Sequence, residues 1–192
     1  MPPLILASSS PYRRALLTRL GLTFDCHSPD IDESPLPGER GDALALRLAR
    51  QKAAAVAAHY QHGLVIGSDQ VCVNGDKLLG KPGTIEKARE QLLAAAGKRV
   101  SFYTGLCLHD IGSGQSRALV EPFHVHFRPL TAAQIDRYLE QEPALDCAGA
   151  FKCEGLGISL FERMDGRDPN SLVGLPLIAL VDALAEFGVE VP

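Results

Sequence analysis

Apolar residues follow two rhythms along the chain. Leu4-Ile5-Leu6-Ala7 and Leu64-Val65-Ile66-Gly67 are short unbroken runs, and they predict strands buried on both faces. Elsewhere the spacing is helical. Ser10 as cap and Pro11 as first residue predict a helix with Leu16, Leu17 and Leu20 on one side and a stop at Gly21. Asp42 to Tyr60 reads as a helix through Leu44, Leu48 and Val56. Further helices are expected from a Thr84 cap to Gly97, over Thr131 to Gln141, and from Pro176 to Phe187 with a stop at Gly188.

Extended segments are expected at Phe24 to Pro29, Val71 to Val73, Val100 to His109, Ala118 to Phe127 and Ile158 to Glu162. Asn74-Gly75 is a hairpin-turn signal, and Gly112-Ser113-Gly114 joins the two long extended runs. Asp30 to Gly41 and Gly80-Lys81-Pro82-Gly83 are polar loops. Strands and helices interleave, but the central pair reads as an antiparallel hairpin. The expected fold class is therefore α/β with a mixed sheet flanked by helices, in one domain over 1–192.

Composition narrows the function classes. The chain has 192 residues, 46% hydrophobic and 22% charged, an ordinary globular balance. A formal charge of −4 argues against a nucleic acid polymer as partner, which needs a basic face. It leaves room for an anionic ligand held by a few local cations. Cys26, Cys72, Cys107, Cys147 and Cys153 are scattered and show no C-x-x-C spacing, which fits buried thiols in a reducing compartment better than disulfides or zinc. No signal peptide and no membrane span is legible, so no membrane partner and a cytoplasmic location are expected.

Several polar clusters end or flank the apolar segments. Ser8-Ser9-Ser10-Pro11-Tyr12-Arg13-Arg14 is either a capped helix with exposed arginines or a phosphate-binding turn. Asp69 in Ser68-Asp69-Gln70 is a turn aspartate or a carboxylate that binds metal or activates water. Lys81 sits in a rigid loop, and Asp32-Glu33 in a charged one. Lys52 lies on an alanine-rich helix, where most lysines only solubilise. Ala148 to Gly155 combines small residues with Lys152 and Glu154, an ordinary surface ion pair on its own. His124 and His126 share one face of a strand without other signs of a metal site. Together the cations Arg13, Arg14, Lys52 and Lys81 and the acids Glu33 and Asp69 are what metal-assisted hydrolysis of a polyphosphate requires. No P-loop, G-x-S-x-G or H-E-x-x-H pattern competes.

The same landmarks, in order along nearly the whole chain, resemble the Maf family of nucleoside triphosphate pyrophosphatases. They are Leu4 to Pro11 with Arg13-Arg14, Ile31-Asp32-Glu33, Lys52-Ala53, Gly67 to Val71, Gly80-Lys81-Pro82, Tyr103-Thr104-Gly105, Ala148-Gly149, Gly166 to Asn170 and Val173 to Pro176. The resemblance implies an elongated mixed sheet akin to the inosine triphosphate pyrophosphatases. It implies cleavage of nucleoside triphosphate between the α and β phosphates with a divalent metal cation, Mg²⁺, Mn²⁺ or Co²⁺, and a homodimer. Asp69 would accept the proton from water, with Glu33 helping to hold metal or water. Ser8, Ser10, Arg13, Arg14, Lys52 and Lys81 would bind phosphate.

Tyr12, Gln70 and Glu154 occupy the positions implied to set the base, and their combination resembles the 7-methyl-GTP pyrophosphatase subfamily. Tyr12 stands where tryptophan is expected there and keeps an aromatic face suited to a cationic base. The alternatives are a pyrophosphatase for dTTP, UTP or other modified nucleotides, and a nucleotide-binding regulator of septum formation.

Overall fold

A computed structural model describes residues 2–191. The strands are β1 (Leu4–Ala7), β2 (Asp25–Cys26), β3 (Leu64–Asn74), β4 (Lys77–Leu79), β5 (Arg99–Asp110), β6 (Ser116–Phe127) and β7 (Phe161–Gly166). The helices are α1 (Pro11–Thr18), α2 (Gly41–Ala57), α3 (Ile85–Ala95), α4 (Ala132–Gln141), α5 (Pro169–Val173) and α6 (Leu177–Glu186). The strands order as β2-β1-β3-β5-β6-β7, with β4 on β3. β1 pairs in parallel with β2 and β3, whereas β4 on β3 and β7 on β6 are antiparallel. The expected mixed-sheet α/β class is what the chain adopts. Among the described residues no helix is long and apolar enough to cross a membrane.

The chain forms two compact units. The first comprises 1–70, 104–121 and 168–192, the second 71–103 and 122–167. In the first, the unbroken apolar runs are buried on both faces, as their composition predicts. Leu4, Leu6, Leu64, Ile66, Leu106 and Leu108 meet Leu17 of α1 and Leu180 and Leu184 of α6. Ile5, Ala7, Val65 and Cys107 meet Ala49, Ala53 and Val56 of α2.

On that α2 side the fit is unusually close. A Cβ on Gly67 would lie 2.1 Å from the Ala49 carbonyl oxygen, and one on Gly105 2.1 Å from that of Ala45. Ala45, Ala49 and Ala53 recur every four residues, so they form one ridge of the helix. Small residues on both surfaces let backbone lie against backbone.

In the second unit Phe151 stacks edge-on with Phe102, Phe127 and Phe161, at ring separations of 5.5, 5.7 and 4.8 Å. α3 and α4 are tied by Arg89 to Asp136 at 2.6 Å. Thr84 caps α3, and Thr131 with Gln134 forms a reciprocal capping box on α4.

Three expectations are corrected. The segment Phe24 to Pro29 keeps only the two-residue exposed edge strand β2. Ile158 to Glu162 is not a strand throughout: Leu156–Leu160 is a 3₁₀ helix, and strand begins at Phe161. The Glu142 carboxylate accepts the Leu156 and Gly157 amides and tightens that turn. Finally, Ser68-Asp69-Gln70 does not end a strand but lies inside β3. Each of these polar side chains has a partner within the protein, so the strand need not surface to satisfy them.

Alanine at Gly67 forces α2 off β3. We expect Gly67→Ala to lower stability by about 1–3 kcal/mol in urea unfolding. Gly112→Ala, where a Cβ would meet nothing closer than 3.5 Å, should stay within about 0.5 kcal/mol of wild type. Equal stability of the two variants would contradict this packing.

Candidate active site

The site residues of the first unit gather where β1 and β3 meet α1 and α2. β1 ends at Ala7, and the chain turns through Ser8, Ser9 and Ser10 into α1. The Ser8 hydroxyl accepts the Ser10 amide at 3.1 Å, and the Ser10 hydroxyl accepts the Arg13 amide at 3.3 Å. This fixes the turn at the positive end of the α1 dipole. Ser8 is buried, Tyr12 and Arg13 are half-buried, and Arg14 is exposed.

Arg13 points inward rather than out to solvent. Its Nε donates to the Gly174 carbonyl at 2.7 Å, which Ser68 Oγ also approaches at 3.1 Å. Burial lowers the pKa of the guanidinium from its usual value, while Asp69 and Glu33 pull it back up. The group stays charged, so the interior holds a cation in poor contact with water that an anion would stabilise.

Lys52 is the other inward cation, 6% exposed in the middle of α2. Its ammonium donates to Asp69 Oδ1 at 2.5 Å and to Glu33 Oε1 at 2.9 Å. The solubilising role that its alanine-rich surroundings suggest is thereby excluded. Asp69 is itself buried, whereas the Glu33 side chain is 59% exposed. Two carboxylates thus converge on one ammonium, each with a second oxygen.

Hard oxygen donors suit Mg²⁺ or Mn²⁺. Among the described residues no group of three or more His, Cys, Asp or Glu forms a metal site. Two carboxylates fit a Mg²⁺-type ion that takes its remaining ligands from water and substrate phosphates.

Glu33 lies on a loop without regular structure that α2 holds in place. Arg47 donates to both Glu39 oxygens at 2.7 and 2.8 Å and to the Ser34 carbonyl at 3.0 Å. Glu39 also accepts the Leu36 amide at 2.9 Å. The Arg47 bonds, and then that amide, hold the Glu39 carboxyl down at about 2.

Gln70 does something the sequence did not suggest. Its Nε2 donates to the carbonyls of Ser171 at 2.8 Å and Leu172 at 2.9 Å. Thr104 joins it on Ser171 at 2.8 Å. The amide donors therefore hold α5, and the side-chain oxygen is what Gln70 can offer a ligand.

Sequence reasoning also gave Asp168 no role. It is fully buried, caps α5 through the Asn170 amide at 2.8 Å and takes the Ile178 amide of α6 at 2.8 Å. Asp168-Pro169, an N-cap followed by proline, was the available signal.

The second unit carries Lys81 and Glu154. Lys81 is exposed, beside buried Pro82. Glu154 is exposed on a turn between the Phe151 anchor and the Glu142-braced 3₁₀ helix. Cys153 Sγ lies 3.4 Å from its carboxylate. His124 and His126 do share a face, but they sit 2.8 Å from Ser101 and Asp165 respectively. All five cysteines are free thiols, two of them buried.

A depressed carboxyl stabilises the fold above its unfolded value, and that contribution disappears only as pH falls through its folded value. We expect the Glu39 carboxyl carbon, followed by NMR, to titrate near 2 and the Arg47 bonds to persist at pH 4. A midpoint close to the ordinary 4.5 would show that the clamp does not exist in solution.

Comparison with known proteins finds full-length relatives. A 7-methyl-GTP pyrophosphatase of Alcanivorax borkumensis is 57% identical over 191 residues, covering 100% of this chain and 97% of that one. One of Pseudomonas syringae pv. tomato is 57% identical, with 100% of both chains covered. One of Nitrosococcus oceani is 55% identical over 99% of this chain and 96% of that one. The structure of the Staphylococcus aureus Ham1 protein superposes on 66% of this chain and 72% of its own, at 15% identity and a TM-score of 0.48. Residues 3–187 match the family model described as Maf-like protein, and the chain belongs to that family.

Proposed function

We propose that the protein is a nucleoside triphosphate pyrophosphatase that hydrolyses 7-methyl-GTP to 7-methyl-GMP and pyrophosphate. The observation that carries this reading is the buried Lys52 ammonium shared by Asp69 and Glu33. Full-length relatives named for this activity support it. By the family resemblance the proposal extends to a homodimer working in the cytoplasm with Mg²⁺, Mn²⁺ or Co²⁺.

Asp69 takes the proton of the attacking water. A new P–O bond forms, the α–β anhydride bond breaks, and its electron pair leaves on pyrophosphate. Lys52 and Arg13 offset the charge that builds on the phosphate oxygens. Ser8, Ser10, Arg14 and Lys81 are assigned to the triphosphate. Glu33 and Asp69 would hold a divalent cation, which would supply further charge neutralisation and lower the pKa of water.

Tyr12, Gln70 and Glu154 are proposed to set base preference. Methylation at N7 makes guanine cationic, which favours an aromatic face. Guanine presents N–H donors on its pairing edge, which carboxylate or amide oxygens accept. With its nitrogen committed to α5, Gln70 offers an acceptor.

Three measurements bear on this. Across 7-methyl-GTP, GTP, UTP and dTTP, pyrophosphate release should have its highest kcat/KM for 7-methyl-GTP. UTP or dTTP ahead would overturn the substrate, and no release with any of the three metals would favour a binding regulator. Asp69→Asn should lower kcat about 10²–10⁴-fold while nucleotide still binds by calorimetry. Glu154→Ala should reduce the preference for 7-methyl-GTP over UTP about 10–100-fold, and an equal loss on both would remove Glu154 from base recognition.

A further inference from the structure

We infer that Arg47 is a positioning residue for the Glu33 carboxylate, and through it for the divalent cation. The inference rests on the role given above to Glu33. Glu33 is a mostly exposed side chain on a loop with no helix or strand of its own. Local bonds turn the loop, as from the Ser34 amide to Asp32, but do not tie it to the rest of the fold. Its order comes from α2.

The Arg47 fork grips Glu39 through two parallel bonds, the geometry that best fixes an orientation. The same guanidinium donates to the carbonyl of Ser34, the residue next to Glu33. Its remaining arm reaches Gln51 one turn along α2 at 3.0 Å. Ser34 in turn donates its amide to Asp32 at 2.9 Å, which closes the loop on the other side of Glu33. One side chain therefore ties the stretch from Ser34 to Glu39, directly after Glu33, to the helix that carries Lys52. The pair is shielded, with the Arg47 and Glu39 side chains 22% and 9% exposed.

Arg47 touches neither Lys52 nor Asp69 in any bond described, so its influence on the site passes through the position of Glu33. A lysine could match its charge but not the fork and the third bond to Ser34.

The test is a double-mutant cycle with Arg47→Met and Glu33→Gln in the full-length protein. Mn²⁺ binding to the substrate-free protein is read by electron paramagnetic resonance. The Mn²⁺ dependence of pyrophosphate release from 7-methyl-GTP is read alongside. Arg47→Met should weaken Mn²⁺ binding and raise the half-saturating Mn²⁺ concentration about ten-fold or more, with kcat at saturating Mn²⁺ changed far less. On the Glu33→Gln background the same substitution should add almost nothing.

Glu39→Gln, which removes the partner and keeps Arg47, should reproduce the defect if Arg47→Met proves poorly folded. An equal Arg47→Met effect with and without Glu33 would overturn the positioning role while leaving Glu33 as a ligand. Unchanged Mn²⁺ binding in Glu33→Gln would overturn the role of Glu33 itself, and Arg47 with it.

Discussion

The candidate site depends on how closely α2 lies against β3 and β5. Gly67 and Gly105 face the ridge of Ala45, Ala49 and Ala53, and backbone packs on backbone. With larger residues at these positions the helix would stand further off. Lys52, one residue before Ala53, is then carried down to the level of Asp69, two residues beyond Gly67. A buried lysine is unfavourable alone. Here two carboxylates meet it, so the close packing and the ion cluster require each other.

The second constraint is the anchoring of irregular backbone by buried and half-buried polar groups. Ser68, Gln70, Thr104 and Arg13 hold the segment from Ser171 to Gly174. Asp168 joins α5 to α6 from inside. Arg47 does the same for the loop of Glu33. Regular elements thus supply Asp69, Lys52 and Arg13, while loops tied to them supply Glu33 and Ser8. Such a scaffold holds charged groups in place before a ligand arrives, which is how fixed charges act best on a transition state.

Much of this was legible in the sequence. The unbroken runs of β1 and β3 announced strands buried on both faces, and Ser10-Pro11 and Thr84 announced helix starts. The roles proposed for Asp69 and Lys52 come only from the family's ordered motifs, because an aspartate beside a strand and a lysine on a helix are individually commonplace. What stayed hidden depended on distant partners. Asp69 looked like the end of a strand because no local rule says that Lys52 will satisfy it. The grip of Gln70 on α5 has no local signal because its acceptors lie a hundred residues on. Arg47 carries no local signal of its role, because the loop it holds has no pattern of its own.

The proposed chemistry needs Lys52 as a charge that the site uses rather than one the fold merely tolerates. The most direct measurement is pyrophosphate release from 7-methyl-GTP by Lys52→Met, with its fold checked by circular dichroism. Loss of one preorganised donor to the developing phosphate charge predicts a fall in kcat of about 10²–10³-fold in a folded protein. A folded variant that keeps kcat within about three-fold of wild type would contradict the account.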